Sequence, residues 1–456
     1  MRTSILSILA MAVALFFASA CCNTNEYGYK IKDGVAIYNT PERPADQISM
    51  IGFSVDPIDT VRVGFIGLGM RGPSAIDRFT NIEGVEITAI CDLYPEKLEP
   101  VQRMLEHRGM ARAAEYSGEE GWKDLCDRDD LDLVYIVTPW LTHVPMSVYA
   151  MEHGKHVAVE VPAAVSVEEC WQLVNTAERT QRHCMMLENC VYDFFELTTL
   201  NMAQQGLFGE IIHTEGAYIH NLDPYWREYQ DNWRYEYNKK HRGDVYPTHG
   251  MGPACWALDI HRGDRMKTLV AMDTDAFNGK KLAQKYGEES YLNGDHTTTL
   301  IRTEKGKTIE IQHNVVTPRP YNRMYQVEGT KGFANKYPDE GFAIFENQGA
   351  EAYVSQEMRD ALMAEYQHPI TRENSLVETA KRVGGHGGMD FIMDYRLIYC
   401  LRNGLPLDQD VYDAAEWSCL GELTRVSIEN GNIPVVMPDF TRGDWDKTDG
   451  LKLYIK

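Results

Sequence analysis

The stretch from Val61 to Gly72, which reads V-R-V-G-F-I-G-L-G-M-R-G, constrains the fold more than any other part of the chain. It starts as a short apolar run, typical of a buried parallel strand, and then breaks into Gly67-x-Gly69-x-x-Gly72. In such a turn the first glycine permits a tight bend, the second lets backbone approach a pyrophosphate, and the third lets the next helix pack closely. The spacing therefore predicts a strand–turn–helix unit that binds a dinucleotide at the N-terminus of its helix.

A second strand supports this interpretation. Residues 85–91 are predicted to form a strand that ends in Asp92, twenty residues past Gly72. An acidic residue at this point is placed to bind the adenosine ribose 2′-OH, which favours NAD over NADP.

Strands and helices then alternate along the chain. Further strands are predicted at 133–138, 155–160 and 184–189, and helices at 73–79, 95–108, 143–154 and 165–182. Such alternation predicts an α/β fold with a doubly wound parallel sheet over residues 60–190. Its ligand edge would carry the residues at the strand ends, which are Gly67, Asp92, Pro139, Glu160 and Asn189.

The pattern changes near Gly209. Strands are predicted at 210–218, 297–302, 308–315 and 323–329, and residues 355–430 are mainly helical, most clearly 389–401 and 411–430. We therefore expect a second, α+β domain over residues 191–456, with an open mixed or antiparallel sheet and C-terminal helices that partly pack back on the first domain.

A connection at 225–242 is unusually aromatic, with Trp226, Arg227, Trp233, Arg234 and Tyr235. Aromatic faces beside arginines suit a sugar, whose C–H face packs on a ring while its hydroxyls form hydrogen bonds. The alternative is a long loop that is stabilised by its own side chains, and composition does not separate the two.

The N-terminus has the pattern of an export signal. Arg2 precedes an apolar run at 5–17, and Ala18-Ser19-Ala20 stands just before Cys21. A cysteine there resembles a bacterial lipobox, although Ala18 replaces the usual leucine. We predict a signal peptide at 1–20, a lipid anchor at Cys21 and a polar, irregular tether and lead-in at 21–59. The protein would then be a cell-envelope lipoprotein, in the periplasm or on the outer membrane. A soluble exported protein is the alternative.

The net charge argues against two classes of partner, and the cysteine pattern argues against two kinds of site. The chain has 45 basic and 67 acidic residues and a net charge of −22, which argues against nucleic acid and anionic membrane surfaces. Beyond Cys21 and Cys22 the cysteines lie mostly in apolar surroundings without C-x-x-C spacing, so neither a metal site nor a disulfide framework is expected.

Several motifs together resemble known families. The glycine turn, Asp92, Thr138-Pro139 and Glu160-Val161-Pro162 resemble the Gfo/Idh/MocA oxidoreductases, which pair an N-terminal Rossmann domain with a C-terminal open sheet. Trp140-Leu-Thr-His143, Tyr246-Pro-Thr-His249-Gly250 and Gly384-Gly-His386-Gly-Gly-Met-Asp390 resemble glycoside hydrolase family 109. The resemblance covers nearly the whole mature chain. It implies an α-N-acetylgalactosaminidase that uses NAD, acts on glycans with a terminal N-acetylhexosamine, and forms a homo-oligomer by pairing open sheets.

One departure from the broader family matters. Its sugar dehydrogenases usually carry E-K-P, and the lysine acts at the reacting carbinol, whereas this chain has Val161 in that position. A valine cannot transfer a proton, so a simple dehydrogenase is disfavoured. The hydrolase family also lacks that lysine.

The resemblance implies an oxidation–elimination–addition–reduction route. A ketone at C3 of the sugar acidifies the C2 hydrogen, loss of that proton expels the C1 aglycone, water adds to the enone, and the hydride returns to C3. The cofactor is thus regenerated in each turnover. This route needs proton carriers near neutral pH rather than the two carboxylates of ordinary glycosidases.

Site residues follow from the resemblance. His249 would be the catalytic acid/base with Tyr246 as its partner, and the sequence does not decide which proton each handles. Substrate-binding residues would be Tyr218, Arg234, Tyr246, Pro247, Thr248, His249 and Tyr325. Cofactor-binding residues would be Gly67, Gly69, Met70, Arg71, Gly72, Asp92, Trp140, Leu141, Thr142, His143, Glu160, Val161 and Asn189. His386 either approaches the site or marks a helix start, and both interpretations stay open.

Other functions are compatible with the same motifs. The chain could be an NAD-dependent sugar oxidoreductase or epimerase, or a hydrolase of another N-acetylhexosaminide, including the β-anomer. A sugar-binding lipoprotein that keeps NAD as a structural element is a third class, disfavoured by the presence of both Tyr246 and His249.

Overall fold

A computed structural model describes residues 26–345 and 351–456. The predicted signal peptide and Cys21 lie outside these residues. None of the helices within them is both long enough and apolar enough to cross a membrane.

The lead-in contains a β-hairpin, formed by β1 (Tyr29–Lys32) and β2 (Val35–Tyr38). The prediction of an irregular tether is therefore wrong for these residues. Asp33 and Gly34 both have positive φ, at 52° and 77°, as the tight turn of a two-residue hairpin requires. The hairpin is also attached to the rest of the protein, because β2 pairs with a strand near the C-terminus.

The first domain is a parallel sheet of six strands, in the order β5-β4-β3-β6-β7-β8. The strands are β3 (Val61–Ile66), β4 (Val85–Asp92), β5 (Ala114–Ser117), β6 (Leu133–Ile136), β7 (His156–Val159) and β8 (Cys184–Met186). This confirms the predicted doubly wound sheet. β5 was not predicted, because it is a short edge strand whose pattern is partly polar.

Five helices belong to this domain: α1 (Gly72–Phe79), α2 (Leu98–His107), α3 (Gly121–Cys126), α4 (His143–Glu152) and α5 (Val167–Thr180). α1 begins at the third glycine of the turn, as the spacing predicts. α5 is capped by Ser166, whose side chain accepts a hydrogen bond from the Glu169 N–H.

The second domain contains the larger, mixed sheet, which has ten strands in the order β1-β2-β16-β10-β11-β12-β9-β13-β14-β15. Its strands are β9 (Ile211–Ile219), β10 (Met266–Asp273), β11 (Thr297–Thr303), β12 (Thr308–Asn314), β13 (Asn322–Gly329), β14 (Gly332–Asn335), β15 (Gly341–Ile344) and β16 (Val435–Val436). β9 pairs parallel to β12 and antiparallel to β13, so the predicted mixed sheet is confirmed. One face exposes apolar side chains, including Met272 and Leu300.

The described residues contain eight more α-helices: α6 (Phe194–Gln204), α7 (Trp233–Lys240), α8 (Thr248–Ala257), α9 (Phe277–Lys285), α10 (Gln356–Glu365), α11 (Asn374–Val383), α12 (Met389–Asn403) and α13 (Val411–Glu429). α12 packs on the first domain through buried Asp394, which accepts from Arg78 Nε at 2.6 Å and from the Tyr135 hydroxyl at 2.8 Å. The cysteines from Cys91 to Cys419 are buried free thiols, as their apolar neighbours predict.

Candidate active site

The glycine turn leaves room for a pyrophosphate. Gly67 has φ +99°, and a Cβ there would lie 2.5 Å from the Val137 carbonyl oxygen. A Cβ on Gly72 would overlap the Gly67 carbonyl oxygen, so both positions require glycine. No heavy atom lies within 4 Å of a Cβ built on Gly69, which faces open space. The turn therefore fits a dinucleotide, whose phosphates need this close backbone approach.

Asp92 stands at the end of β4, beside the turn. Its Oδ2 accepts from the Leu68 N–H at 2.6 Å and its Oδ1 accepts from the Tyr94 N–H at 2.9 Å. Since a carboxylate offers about four acceptor sites, lone pairs remain for a ribose hydroxyl. Asp92 thus also holds the glycine turn in place, a role that the sequence does not indicate.

Predicted cofactor residues from separate strand ends meet at Asp390. Arg71 Nε lies 3.5 Å from Glu160 Oε1, and Arg71 Nη2 lies 3.1 Å from Asp390 Oδ2. Asn189 Nδ2 donates to Asp390 Oδ1 at 2.5 Å. Asp390 is fully buried, and burial alone would raise its pKa, but the hydrogen bond with His386 and the charges of Arg71 and Arg78 hold that pKa well below the usual range. Val161, next to Glu160, is buried as well.

The loop after β6 is fixed by His143. This histidine is fully buried, and its ring nitrogens lie 2.8 Å from the Pro162 carbonyl oxygen and 2.7 Å from the Thr138 carbonyl oxygen. Burial lowers its pKa. The structure thus places His143 behind the loop, where it positions Trp140. Met70 and Leu141 are exposed at the edge of the cleft, and Thr142 donates to the Pro139 carbonyl oxygen at 2.7 Å.

Trp140 joins the two domains. Its ring stacks on Tyr246, with centroids 5.4 Å apart and planes inclined by 17°. The rings of Trp233 and Tyr237 contact it edge-on at 5.1 Å and 5.0 Å. The end of a Rossmann strand therefore lies directly against the predicted catalytic tyrosine.

The predicted catalytic pair is hydrogen-bonded, and a third residue completes it. His249 Nε2 lies 3.2 Å from the Tyr246 hydroxyl, and His249 Nδ1 lies 2.8 Å from Glu188 Oε2. Glu188 is fully buried, and its Oε1 accepts from the Cys190 N–H at 2.8 Å. Sequence reasoning missed Glu188, although it lies two residues after β8 and directly precedes the predicted Asn189.

A close approach of backbone sets this geometry. Gly250 lies in the first turn of α8, and a Cβ on it would lie 2.6 Å from the Ala217 nitrogen in β9. Gly216 in β9 has equally little room against Gly250. The two glycines let α8 lie on β9, so the Tyr218 ring comes within 5.5 Å of the His249 ring.

Arg234 is a buried cation between aromatic rings. It belongs to α7, so the segment predicted as a loop contains a helix. The guanidinium carbon lies 4.4 Å from the Tyr246 ring centroid and 5.3 Å from that of Trp140. Nη1 donates to the Tyr229 hydroxyl at 2.7 Å and Nη2 to the Tyr218 hydroxyl at 3.4 Å. Buried Nε has no hydrogen-bond partner, and no carboxylate in the described ranges forms an ion pair with Arg234.

Other predicted residues lie outside this cluster. Tyr325 packs its ring edge-on against Phe195 under α6, and its hydroxyl donates to the Glu196 carbonyl oxygen at 3.4 Å. Pro247 and Thr248 start α8 and are buried. His386 is half exposed in its glycine loop, with Nδ1 3.0 Å from Asp390.

Comparison with known proteins gives a consistent assignment. Residues 192–447 match the family model described as glycosyl hydrolase 109, C-terminal domain, and residues 61–188 match the oxidoreductase family with an NAD-binding Rossmann fold. The chain is 62% identical over 429 residues to glycosyl hydrolase family 109 protein 1 of Bacteroides thetaiotaomicron, covering 91% of each chain. It is 61% identical over 429 residues to a glycosyl hydrolase family 109 protein of Porphyromonas gingivalis, again covering 91% of each.

Solved structures with the same fold are distant in sequence. A levoglucosan dehydrogenase in complex with NADH superposes with a TM-score of 0.63 at 17% identity, over 83% of this chain and all of that one (100%). An aldose-aldose oxidoreductase from Caulobacter crescentus, complexed with glycerol, gives a TM-score of 0.62 at 17% identity, with the same coverage of 83% and 100%. These similarities show the two-domain fold.

Proposed function

The chain belongs to glycosyl hydrolase family 109, and on this premise we propose that it releases terminal α-N-acetylgalactosamine from glycans by an NAD-dependent oxidation–elimination–addition–reduction route. Membership makes it an enzyme with an NAD-binding domain. The observation that carries the finer proposal is the hydrogen-bonded series Glu188–His249–Tyr246 beside the ligand edge of that domain. This series can move protons without two carboxylates flanking C1.

NAD would be held by the glycine turn, Asp92 and the loops after β6 and β7, and when bound it supplies a reversible hydride acceptor for C3 of the sugar. Val161 occupies the place of the lysine that serves dehydrogenases of the broader family, and it is 4% exposed. Proton transfer therefore falls to other residues of the site.

His249 is the residue placed to exchange a proton at C2 of the sugar. Since the buried carboxylate of Glu188 accepts the Nδ1–H, Nε2 is left as the basic nitrogen. Burial raises the pKa of Tyr246 well above its usual value, so its hydroxyl stays protonated and, without substrate, donates to Nε2. A substrate oxygen that takes over this hydrogen bond would free the Nε2 lone pair. We assign to Nε2 the proton that leaves C2 and is later returned.

Arg234 supplies positive charge at the same place. An enolate forms on the sugar when the C2 proton leaves, and a buried guanidinium without a carboxylate partner is suited to stabilise it. The cation already lies against Tyr246, and its buried Nε has no hydrogen-bond partner in the described part of the chain.

Product analysis in deuterium oxide tests the route. The purified enzyme should release p-nitrophenol from p-nitrophenyl α-N-acetylgalactosaminide without added oxidant, and the sugar should gain deuterium at C2. An unlabelled C2 would exclude the elimination step. Net accumulation of reduced cofactor, or an epimerised product, would instead identify an oxidoreductase or epimerase. A panel of aryl glycosides that differ in anomer and C4 configuration fixes the specificity.

We also propose export and anchoring through Cys21, and homo-oligomerisation through the open face of the large sheet. The apolar face that exposes Met272 and Leu300 supports the second proposal. Palmitate labelling that is lost in Cys21→Ala tests the anchor, and sedimentation velocity of a form without the signal peptide tests the oligomer.

A further inference from the structure

Four aromatic rings lead from the candidate active site to the protein surface. They belong to His220, Tyr225, Tyr321 and Tyr337, and we call them the aromatic wall. We propose that the aromatic wall binds the neutral sugar residue next to the one that is released. This inference rests on the proposed function and names the side chains that would contact the sugar on the far side of the cleaved bond.

The wall is continuous with the catalytic cluster. The Tyr218 ring lies 5.5 Å from the His249 ring, and the Tyr218 hydroxyl lies 2.9 Å from His220 Nδ1. The His220 ring in turn contacts the rings of Tyr225 at 5.6 Å and Tyr321 at 5.2 Å. A chain that enters the site with its terminal sugar at His249 would pass these rings next.

Two of the four rings face solvent, while His220 and Tyr337 are partly buried. Tyr225 is 42% exposed and Tyr321 is 45% exposed. They come from different parts of the chain, after β9 and just before β13, so the fold brings them together. Adjacent exposed aromatic rings beside a catalytic site are characteristic of a binding surface.

The orientation of the rings is fixed before any ligand binds. Tyr321 meets His220 at an interplanar angle of 90° and Tyr337 at 71°, with the Tyr337 centroid 6.3 Å away. The Tyr337 hydroxyl accepts from Arg323 Nε at 3.2 Å. A ring that is already ordered loses little conformational entropy on binding, so its contact contributes more to affinity.

The chemistry of the wall suits a neutral sugar. A pyranose packs its C–H face on a ring, and the tyrosine hydroxyls at the rim can bind its hydroxyls. Burial and the nearby Arg234 lower the pKa of His220 to about 4, so its ring is uncharged near neutral pH. Arg323 is buried and ion-paired with Asp193 at 3.1 Å, so its charge is already compensated.

Two substrates with the same terminal residue test the proposal. One is methyl α-N-acetylgalactosaminide, which has no sugar in the aglycone, and the other is a trisaccharide with two neutral sugars beyond the terminal residue. The full-length enzyme and the variants Tyr225→Ala, Tyr321→Ala and their combination are assayed for release of N-acetylgalactosamine. Tyr454→Ala is the matched control, since Tyr454 is 40% exposed near the C-terminus.

We expect the double variant to lower kcat/KM on the trisaccharide about tenfold, mainly through KM, because two aromatic contacts are lost. The methyl glycoside should be affected less than about twofold, and Tyr321→Phe, which keeps the ring face, should retain most activity. An equal fall on both substrates, or no fall on either, would overturn the proposal.

Calorimetric titration with 3-deoxy analogues of the two ligands, which cannot be oxidised at C3 and are therefore not turned over, separates this inference from the proposed function. The wild-type protein should bind the trisaccharide more tightly than the methyl glycoside, and the double variant should lose that difference. If the wild-type protein hydrolyses neither substrate, the proposed function fails, but the titration still decides whether the wall binds a sugar. Equal affinity of the wild-type protein for both ligands would refute the proposal that the aromatic wall binds a sugar.

Discussion

Nδ1 of His249 lies 2.8 Å from Oε2 of Glu188, a carboxylate with no exposure to solvent. The other oxygen of Glu188 is held by the Cys190 N–H. The carboxylate therefore fixes both the orientation and the tautomer of the imidazole, and it leaves Nε2 to face Tyr246. Glu188 is a positioning residue, since it acts through His249.

Glu188→Gln should lower kcat about 100-fold, because the amide keeps the volume but no longer selects the tautomer. The rate of deuterium exchange at C2 of the sugar should fall in parallel, since we propose that His249 Nε2 exchanges that proton. Cofactor content and the thermal midpoint should stay close to the wild-type values. Steady-state kinetics and NMR of the product in deuterium oxide measure these effects.

Glu429→Gln is the control for this substitution, because Glu429 ends α13 and pairs with Arg425 at 3.0 Å on the surface. It should leave kcat unchanged. Activity of Glu188→Gln within about threefold of the wild-type value would contradict the positioning role.

Local signals predicted the first domain well. The glycine spacing, the apolar strand runs and Asp92 act within one strand–turn–helix unit, so the sequence contains what is needed. Glu188 was missed for a different reason. Its partner His249 is 61 residues further along the chain, and the contact depends on Gly216 and Gly250 bringing α8 onto β9.

Long-range pairing also explains the missed hairpin. The Asp33-Gly34 turn is a local signal, but β2 is held by β16, with Ala36 opposite Val435. No pattern in residues 21–59 indicates that pairing. The helix α7 was hidden because its aromatic side chains pack on Trp140 of the other domain rather than forming a regular apolar stripe.

Arg234→Met should separate activity from stability. A buried cation without a carboxylate partner destabilises the fold, so its replacement by an apolar side chain should leave the thermal midpoint unchanged or higher. Loss of the charge that we propose stabilises the enolate should lower kcat about 100-fold. Kinetics and differential scanning calorimetry on the same preparation check both effects.

Arg396→Met is the matched comparison. Arg396 is also buried, but it binds Asp408 through Nε at 2.8 Å and Nη2 at 2.7 Å. Its removal leaves a buried carboxylate unpaired and should lower stability by about 3–5 kcal/mol. If both variants lost the same stability, Arg234 would be a structural residue.

Alanine substitution should have different effects at the middle glycine of the turn, Gly69, and at the last one, Gly72. Gly69→Ala adds a methyl group in open space, so the protein should fold normally but lose NAD, because the methyl group occupies the path of the pyrophosphate. Gly72→Ala overlaps the Gly67 carbonyl oxygen and should destabilise the domain by at least about 2 kcal/mol. Cofactor content after purification and urea unfolding distinguish the two. Full cofactor content in Gly69→Ala would show that the dinucleotide does not approach the turn.

His156 should make the protein less stable in mild acid. It is buried at the start of β7, its Nδ1 accepts from the His183 N–H at 3.1 Å, and burial together with Arg182 lowers its pKa to about 4. The unfolded chain therefore binds the proton first, so the contribution of His156 to stability is complete above about pH 6.5 and is lost as the pH falls towards about 4. The loss amounts to about 3 kcal/mol.

His156→Asn keeps an acceptor but does not titrate, so the free energy of unfolding of the variant should fall less steeply over this range, as measured by urea unfolding at several pH values. His107→Asn, on the exposed end of α2, should follow the wild-type curve. Parallel curves for the wild-type protein and His156→Asn would show that His156 does not carry this pH dependence.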